Sequence, residues 1–266
     1  MKKIKPMLAH NFSKHGKKIT YPCFVQPKLD GIRCIAVIEA GKVELLSRNG
    51  NVIKSVPHIE AALSKLPDAV LDGELYNHTI GFEKIASLVR RKTAHDECWR
   101  IQYHVYDTIS SGTYEERLCK LRGLKLKQPT PVVETHREYF LDDVLAVTRM
   151  FQAQNFEGAM VRNRSGLYEQ KRSFELQKIK QFEDAEFEIV NCLEGKGKMK
   201  GHAVFVCRTE DGTEFNVKMG GSMDQLKEIF ETASWRGKKL TVRYQGYSTK
   251  NKVPRFPVGM RFYERD

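Results

Sequence analysis

Beyond Phe182 the apolar residues fall into short alternating runs, among them 186–193, 203–208, 214–218 and 239–244. Glycine-rich turns and one helical stretch, 222–233, separate them. A period of two gives each run one apolar face, and strands this short cover that face best by curling a small sheet onto itself. Five short strands in about 80 residues, with a helix before the fourth, predict a barrel of the OB type. The preceding residues read differently. Strand-like stretches at 23–47, 69–76, 100–107, 157–162 and 175–180 are interleaved with helical patterns at 57–66, 82–89 and 142–154. Asn49-Gly50, between 43–48 and 51–54, predicts a tight type I′ hairpin. An α+β chain of two domains is expected, residues 1–182 and 183–266.

The chain carries 45 Lys and Arg against 33 Asp and Glu, a formal net charge of +12. That excess asks for an acidic partner: nucleic acid, a nucleotide or an anionic surface. It sits in residues 1–182, with 30 basic and 20 acidic side chains, whereas the barrel segment has 15 and 13. Six lysines (2, 3, 5, 14, 17 and 18) and no acid occupy the first 20 residues, as a fraying, solvated tail or as a phosphate contact. No run approaches the roughly 20 apolar residues of a membrane span. No apolar stretch follows the first lysines as in a secretory signal, so a cytoplasmic protein without a membrane partner is expected. The six cysteines form no C-x-x-C pair, which argues against structural zinc; a disulfide framework is unnecessary in a chain this long.

The sharpest local feature is Gln26-Pro27-Lys28-Leu29-Asp30-Gly31-Ile32-Arg33, a K-x-D-G-x-R directly after an apolar strand. A lysine there can act as a nucleophile if burial and nearby cations keep its amine neutral. Gly31 lets the backbone pass close to a phosphate and Arg33 offers a fork for a second one, although a surface turn would also use Asp-Gly. In Leu71-Asp72-Gly73-Glu74-Leu75, Asp72 and Glu74 share one strand face, facing a ribose hydroxyl, a metal or solvent. Tyr106, next to Asp107, lies on a strand where an aromatic stacks on a purine or fills the core. Lys178 and Lys180 share a face with Ile179 opposite. Two lysines aimed together call for an anion such as a triphosphate, unless they defend an exposed sheet edge.

Taken in order, these segments resemble the covalent nucleotidyltransferases, and most closely the ATP-dependent DNA ligases. The family's motifs have counterparts in K-x-D-G-x-R (Lys28, Asp30, Gly31, Arg33), S-R (Ser47-Arg48), D-G-E (Asp72-Gly73-Glu74) and the aromatic-Asp pair (Tyr106-Asp107). E-G-x-M-V (Glu157 to Val161) and K-x-K (Lys178, Lys180) complete the series. The resemblance covers residues 22–182 well and the remainder more loosely. It implies a nucleotidyltransferase domain of antiparallel sheets flanked by helices, followed by the OB barrel. It implies that Lys28 attacks the α-phosphate of ATP and keeps AMP on its side-chain nitrogen. The AMP would pass to the 5′-phosphate at a nick in duplex DNA, where the 3′-hydroxyl displaces it. Glu74 would bind the ribose, Tyr106 would stack on adenine, and Lys178 and Lys180 would neutralise the α-phosphate. Gln26, Pro27, Leu29, Arg33 and Arg48 would complete the nucleotide site, and Glu157, Asp30 and Glu74 would hold Mg²⁺ or Mn²⁺. Arg33 and Arg48 would grip the nick, with Lys196, Lys198 and Lys200 of the basic loop 195–201 as a further DNA contact.

The family's closing motif, R-x-D-K, has only a partial counterpart: Arg255 and Arg261 are its candidates, and Glu264 stands where the family has lysine. Lys28 lies near the start, without the family's large N-terminal DNA-binding domain before it, so a minimal, monomeric enzyme is expected. Rival readings are an RNA ligase or an RNA-capping guanylyltransferase, which share K-x-D-G, and a non-catalytic nucleic-acid binder built on an OB barrel. E-G-x-M-V, Ser47-Arg48 and Pro254-Arg255-Phe256-Pro257 favour the DNA ligase, and Lys28 argues against a mere binder. NAD⁺-dependent ligases are disfavoured because their zinc-finger cysteines are missing.

Overall fold

A computed structural model describes residues 4–180, 182–248 and 251–263, and the chain divides into two units, Met1–Lys180 and Gln181–Asp266. In chain order the first contains β1 (Leu8–Asn11), α1 (Phe12–His15), β2 (Cys23–Pro27), β3 (Ile32–Glu39), β4 (Lys42–Ser47), α2 (Pro57–Leu63) and β5 (Ala69–Tyr76). There follow α3 (Phe82–Val89), β6 (Gln102–Thr108), α4 (Tyr114–Gly123), β7 (His136–Glu138), α5 (Leu141–Ala153), β8 (Gly158–Asn163) and β9 (Arg172–Lys180). They build a five-stranded sheet, β1-β9-β8-β2-β7, and a four-stranded one, β4-β3-β5-β6. Every pair is antiparallel except β1 with β9.

Side-chain alternation explains the layering. Cys23 and Val25 of β2, with Ala159 and Val161 of β8, point to one face, where Val144 and Phe151 of α5 cover them. Phe24 points the other way, onto Tyr114 and Leu118 of α4. Strand β2 is therefore buried along its whole length, as an interior strand with both faces covered must be. The second sheet packs Cys34, Ala36, Leu45, Leu71 and Leu75 against Ile59 and Leu63 of α2 and Ile85 and Leu88 of α3. Each such aliphatic side chain contributes about 1.5–3 kcal/mol by leaving water.

The α+β architecture agrees with the sequence expectation, with local differences. A turn forms at Asn49-Gly50, but not the expected type I′: Gly50 is at φ +83 and Asn49 is not at positive φ. The Gly50 amide donates to the Ser47 carbonyl and the Ser47 amide to the Asn51 carbonyl, so Arg48 and Asn49 are its central residues. Beyond it a single bridge, Leu46 to Val52, replaces the second strand. The chain leaves the sheet there because Ser55 and Val56 are drawn into the core, Ser55 donating to the carbonyl of Val89. Helix α2 stops at Leu63 rather than at residue 66. The strands β1 and β7 and the helix α4 were not expected. Nor are residues 4–20 a fraying tail: β1 is paired with β9, and Met7 and Ile19 are buried, while Lys14, Lys17 and Lys18 are exposed. Lys2 and Lys3 lie outside the described residues.

The second unit runs β10 (Glu183–Glu194), β11 (Ala203–Arg208), β12 (Glu214–Met219), α6 (Met223–Thr232), β13 (Lys239–Tyr244) and β14 (Val258–Tyr263). The strands close in the order β10-β11-β12-β14-β13 around Phe187, Phe205, Val217, Leu240 and Val242. Strand β10 serves two neighbours, pairing β13 over 183–188 and β11 over 188–194, with a register break after Ile189. Such an irregularity bends a strand enough to turn a barrel corner. Helix α6 precedes the fourth strand, capped reciprocally by Ser222 and Gln225, and this is the expected OB arrangement. All six cysteines are free thiols.

Candidate active site

A cleft of about 230 Å³ opens between the two sheets of the first unit, walled by β1, β2, β8 and β9 on one side and by β3, β5 and β6 on the other. Strand register decides which side chains enter it. Gln26, Met160 and Lys178 are partners across β2, β8 and β9 and stand in one row; Phe24, Arg162 and Leu176 form the next. On the other side of Gln26 comes the row of Lys28, Gly158 and Lys180, since the Lys28 amide donates to the carbonyl of Gly158 and Gly158 pairs with Lys180. Gly158 has φ +143, and a Cβ there would meet the carbonyl oxygen of Ile179 at 2.1 Å. Only glycine fits, and it lets β8 lie close against β9, which sets Lys28 and Lys180 in one row.

They converge on Glu157. Lys28 Nζ donates to one carboxylate oxygen of Glu157 and Lys180 Nζ lies 2.5 Å from the other. Burial pulls the Glu157 carboxyl up, but Lys28 and Lys180 outweigh it and hold the group below the ordinary carboxylate range. Lys178, one row away, has its pKa lowered by burial and by the charges of Lys180 and Lys28. The anion expected between the lysines of β9 is thus supplied, for Lys180, by Glu157 of the chain itself.

On the opposite wall, Glu74 of β5 accepts a hydrogen bond from Tyr106 Oη at 3.3 Å. Burial raises its carboxyl to about 7, against the pull of Arg33 and Lys28. Asp72, expected to share an open face with Glu74, is fully buried. Arg33 grips it through Nε at 2.6 Å and Nη2 at 2.5 Å, and Tyr168 Oη donates to it at 2.6 Å. Arg33 also donates to the carbonyl of Met7, and the Met7 amide donates to Tyr168. Arg33 therefore lines the cleft while three of its donors are bound inside the protein, which corrects the expectation of a fork aimed at phosphate or at the nick.

One further expectation changes. Gly31 is required by a close approach to β5, where a Cβ would lie 2.4 Å from the Leu75 carbonyl oxygen, rather than by a ligand. Gln26 lines the cleft, but its oxygen accepts from Arg162 at 2.9 Å and its nitrogen donates to Thr135 at 2.9 Å and to the Tyr106 carbonyl at 3.4 Å. Its amide braces the cleft by tying β2 to β6, β8 and Thr135. Tyr106 lies beside the guanidinium groups of Arg33 and Arg162, 5.2 and 5.5 Å from its ring centroid. Beneath it, Asp107 accepts from Arg117 (2.8 and 3.1 Å) and Arg162 (2.8 Å), all three side chains being buried.

Pro27, Leu29 and Arg48 line the cleft as expected. So do residues that sequence reasoning missed: Leu8 and Ala9 of β1, Met160, Arg162, Arg172 and Leu176. The six-motif series contains Met160, which could have flagged it; nothing in the lysine-rich start marks Leu8 or Ala9. Among the described residues no three His, Cys, Asp or Glu side chains converge as a metal cage, so Asp30, Glu74 and Glu157 do not form one. In the barrel unit, Arg261 is exposed on β14 and Arg255 is half-buried just before it. Loop 195–201 is a short turn with Lys196 and Lys200 exposed; the side chain of Lys198 lies outside the described residues.

The cleft gathers Lys28, Lys178 and Lys180 toward one end, and its apolar lining of Leu8, Met160 and Leu176 runs toward the other, beside Arg162 and Arg172. Joined in sequence to an OB barrel, that is the design of a covalent nucleotidyltransferase. Residues 6–180 match the family model of the ATP dependent DNA ligase domain, and residues 194–262 that of the DNA ligase OB-like domain. The chain belongs to the ATP-dependent DNA ligases. A DNA ligase of Haemophilus influenzae is 28% identical over 240 residues, spanning 88% of this chain and 84% of the relative. A DNA ligase of African swine fever virus (strain Badajoz 1971 Vero-adapted) is 29% identical over 282 residues, spanning 94% of this chain and 66% of the relative. Among solved structures, one from a structure-function analysis of Lig E DNA ligases, described as DNA binding with a minimal scaffold, superposes with a TM-score of 0.82. It is 27% identical and covers 97% of this chain and 99% of that one.

Proposed function

We propose that this ligase seals nicks in duplex DNA with ATP, as a monomer and in the cytoplasm, using Lys28 as the nucleophile. The observation that carries the reading is the convergence of Lys28 and Lys180 on Glu157, with Lys178 one row away facing the cleft. A nucleotide phosphate entering this end meets three ammonium groups. Lys28 Nζ gives up a proton to solvent, and the neutral amine forms a bond to the α-phosphorus as pyrophosphate leaves; the second proton lost on forming the phosphoramidate also goes to solvent. The donor 5′-phosphate oxygen then attacks the same phosphorus and releases Lys28. Finally the 3′-hydroxyl attacks the 5′-phosphorus, loses its proton and expels AMP. Each step is an in-line displacement, so positioning and charge neutralisation do most of the catalysis. Glu74 binds the ribose hydroxyls, the apolar wall takes the base with Tyr106 beside it, and Lys178 and Lys180 face the α-phosphate.

Mg²⁺ or Mn²⁺ fits this site as an ion carried largely by substrate phosphates, because such ions need only one or two protein carboxylates. Glu157 and Asp30 would hold it, with Glu74 committed to the ribose, and it would supply charge neutralisation at the phosphates.

The test offers ATP, GTP or NAD⁺ with nicked DNA and nicked RNA–DNA duplexes, to the parent and to Lys28→Ala. Covalent label from ATP on the parent alone, with sealing of nicked DNA, is expected. A labelled Lys28→Ala protein would remove the assigned nucleophile, and sealing of RNA alone would remove the substrate.

A further inference from the structure

A second groove, of about 610 Å³, adjoins the nucleotide cleft and shares Arg33, Arg48 and Glu74 with it as lining. It runs past the Ser47–Asn51 turn to the end of α3, where Arg90 and Arg91 form its far wall. Arg48, Arg90 and Arg91 are exposed, and none has a carboxylate partner among the described residues. Arg90 rests against the Phe82 ring, 6.0 Å from its centroid, which holds its guanidinium at the groove. Asn49 and Asn51 add uncharged donors along the same wall. Elsewhere in this unit many surface cations are neutralised, as Lys84 and Arg100 are by Glu97. Unpaired arginines around a concave surface repel one another, and a chain of phosphates relieves that repulsion.

We propose that Arg90 and Arg91, with Arg48, form a track for the phosphodiester backbone of the strand that carries the 5′-phosphate. The strand assignment follows from continuity. This strand must place its terminal phosphate at the nucleotide cleft, and the shared lining makes the groove the adjoining exit for the phosphates that follow. The proposal rests on the nick-sealing reading, and its test separates the two, because self-adenylation needs the cleft and not the track.

The experiment compares Arg90→Ala/Arg91→Ala and Arg90→Lys/Arg91→Lys with the parent in two assays. One is covalent label from ATP; the other is binding of nicked duplex DNA across a salt series. The alanine pair is expected to keep full label and to lose roughly 10- to 100-fold in nick affinity at 50 mM salt, its salt slope falling by about 1.8 for two phosphate contacts. The lysine pair should recover most of both. Nicks with charge-neutral methylphosphonate linkages beside the 5′-phosphate assign the strand: they should weaken the parent and leave the alanine pair unaffected, since the contact is already gone. Unchanged affinity and slope would overturn the track. So would equal further loss from methylphosphonates in the alanine pair, which would place the contact on another strand. Loss of label in the lysine pair would put the arginines in the nucleotide site and overturn it as well.

Discussion

Glu74 gives the site a pH signature that stability measurements can read. Its carboxyl is raised by burial from the ordinary 4.5 to about 7, whereas in the unfolded chain it ionises near 4.5. Between these values the unfolded chain is ionised and the folded one protonated, so folding stability falls as pH rises from about 4.5 through 7. At 1.36 kcal/mol per pH unit, full enclosure would make the loss roughly 3 kcal/mol. The residue is only partly shielded, so about 1–2 kcal/mol is expected after solvent screening. Glu74→Gln cannot ionise and keeps what the parent loses. Urea unfolding of both proteins at pH 5, 6, 7 and 8 should therefore show the variant gaining on the parent by that amount, with most of the change complete by pH 7. A difference that stays flat across the series would refute the assigned ionisation. Label formation at limiting ATP provides the functional half, because a carboxylate is the stronger acceptor for a ribose hydroxyl: the ratio of parent to variant yield should rise through pH 7.

Gly158→Ala should cost at least about 2 kcal/mol from backbone strain and overpacking at Ile179, and should reduce label on Lys28; calorimetry and the labelling assay check both. Asp107→Asn removes the charge that pairs buried Arg117 and Arg162 and should destabilise by about 3–5 kcal/mol, so an unchanged melting temperature would contradict the network. Lys180→Ala should impair adenylation by freeing one side of Glu157, measured as initial rate of label formation. Lys196→Ala/Lys200→Ala in the barrel turn should weaken nick binding and flatten its salt dependence while leaving adenylation intact; identical salt slopes would exclude the contact.

Much of the site was legible because its chemistry lies in contiguous motifs. Lys28, Glu74, Arg48 and Lys178 all reach the cleft, and the spacing of Lys178 and Lys180 anticipated that they share a face. What the motifs concealed is how their members are partnered. Asp72 and Glu74 are two residues apart on one strand, yet Asp72 is sealed under Arg33 and Tyr168, which lie 39 and 96 residues away. No local pattern encodes a pairing of that range. Helix α4 did carry a readable signal, the Thr113–Glu116 capping box with acids in its first turn and Lys120 and Arg122 in its last. Strands β1 and β7 carried none, because three or four residues are too few for periodicity to emerge.

The pairing of β1 with β9 also has a temporal meaning. Leu8 faces Arg172 in the sheet, and Asn11 faces Lys178, so the apolar wall joins segments synthesised some 160 residues apart. During translation β1 emerges well before β9 and waits for it while β2 to β8 are made. Contacts of such sequence separation form slowly, because the loop must close before they are rewarded. A nascent chain therefore holds its lysine nucleophile long before it holds a finished place for the base. Trimming the first dozen residues would leave every recognisable motif in place while removing one side of the chamber.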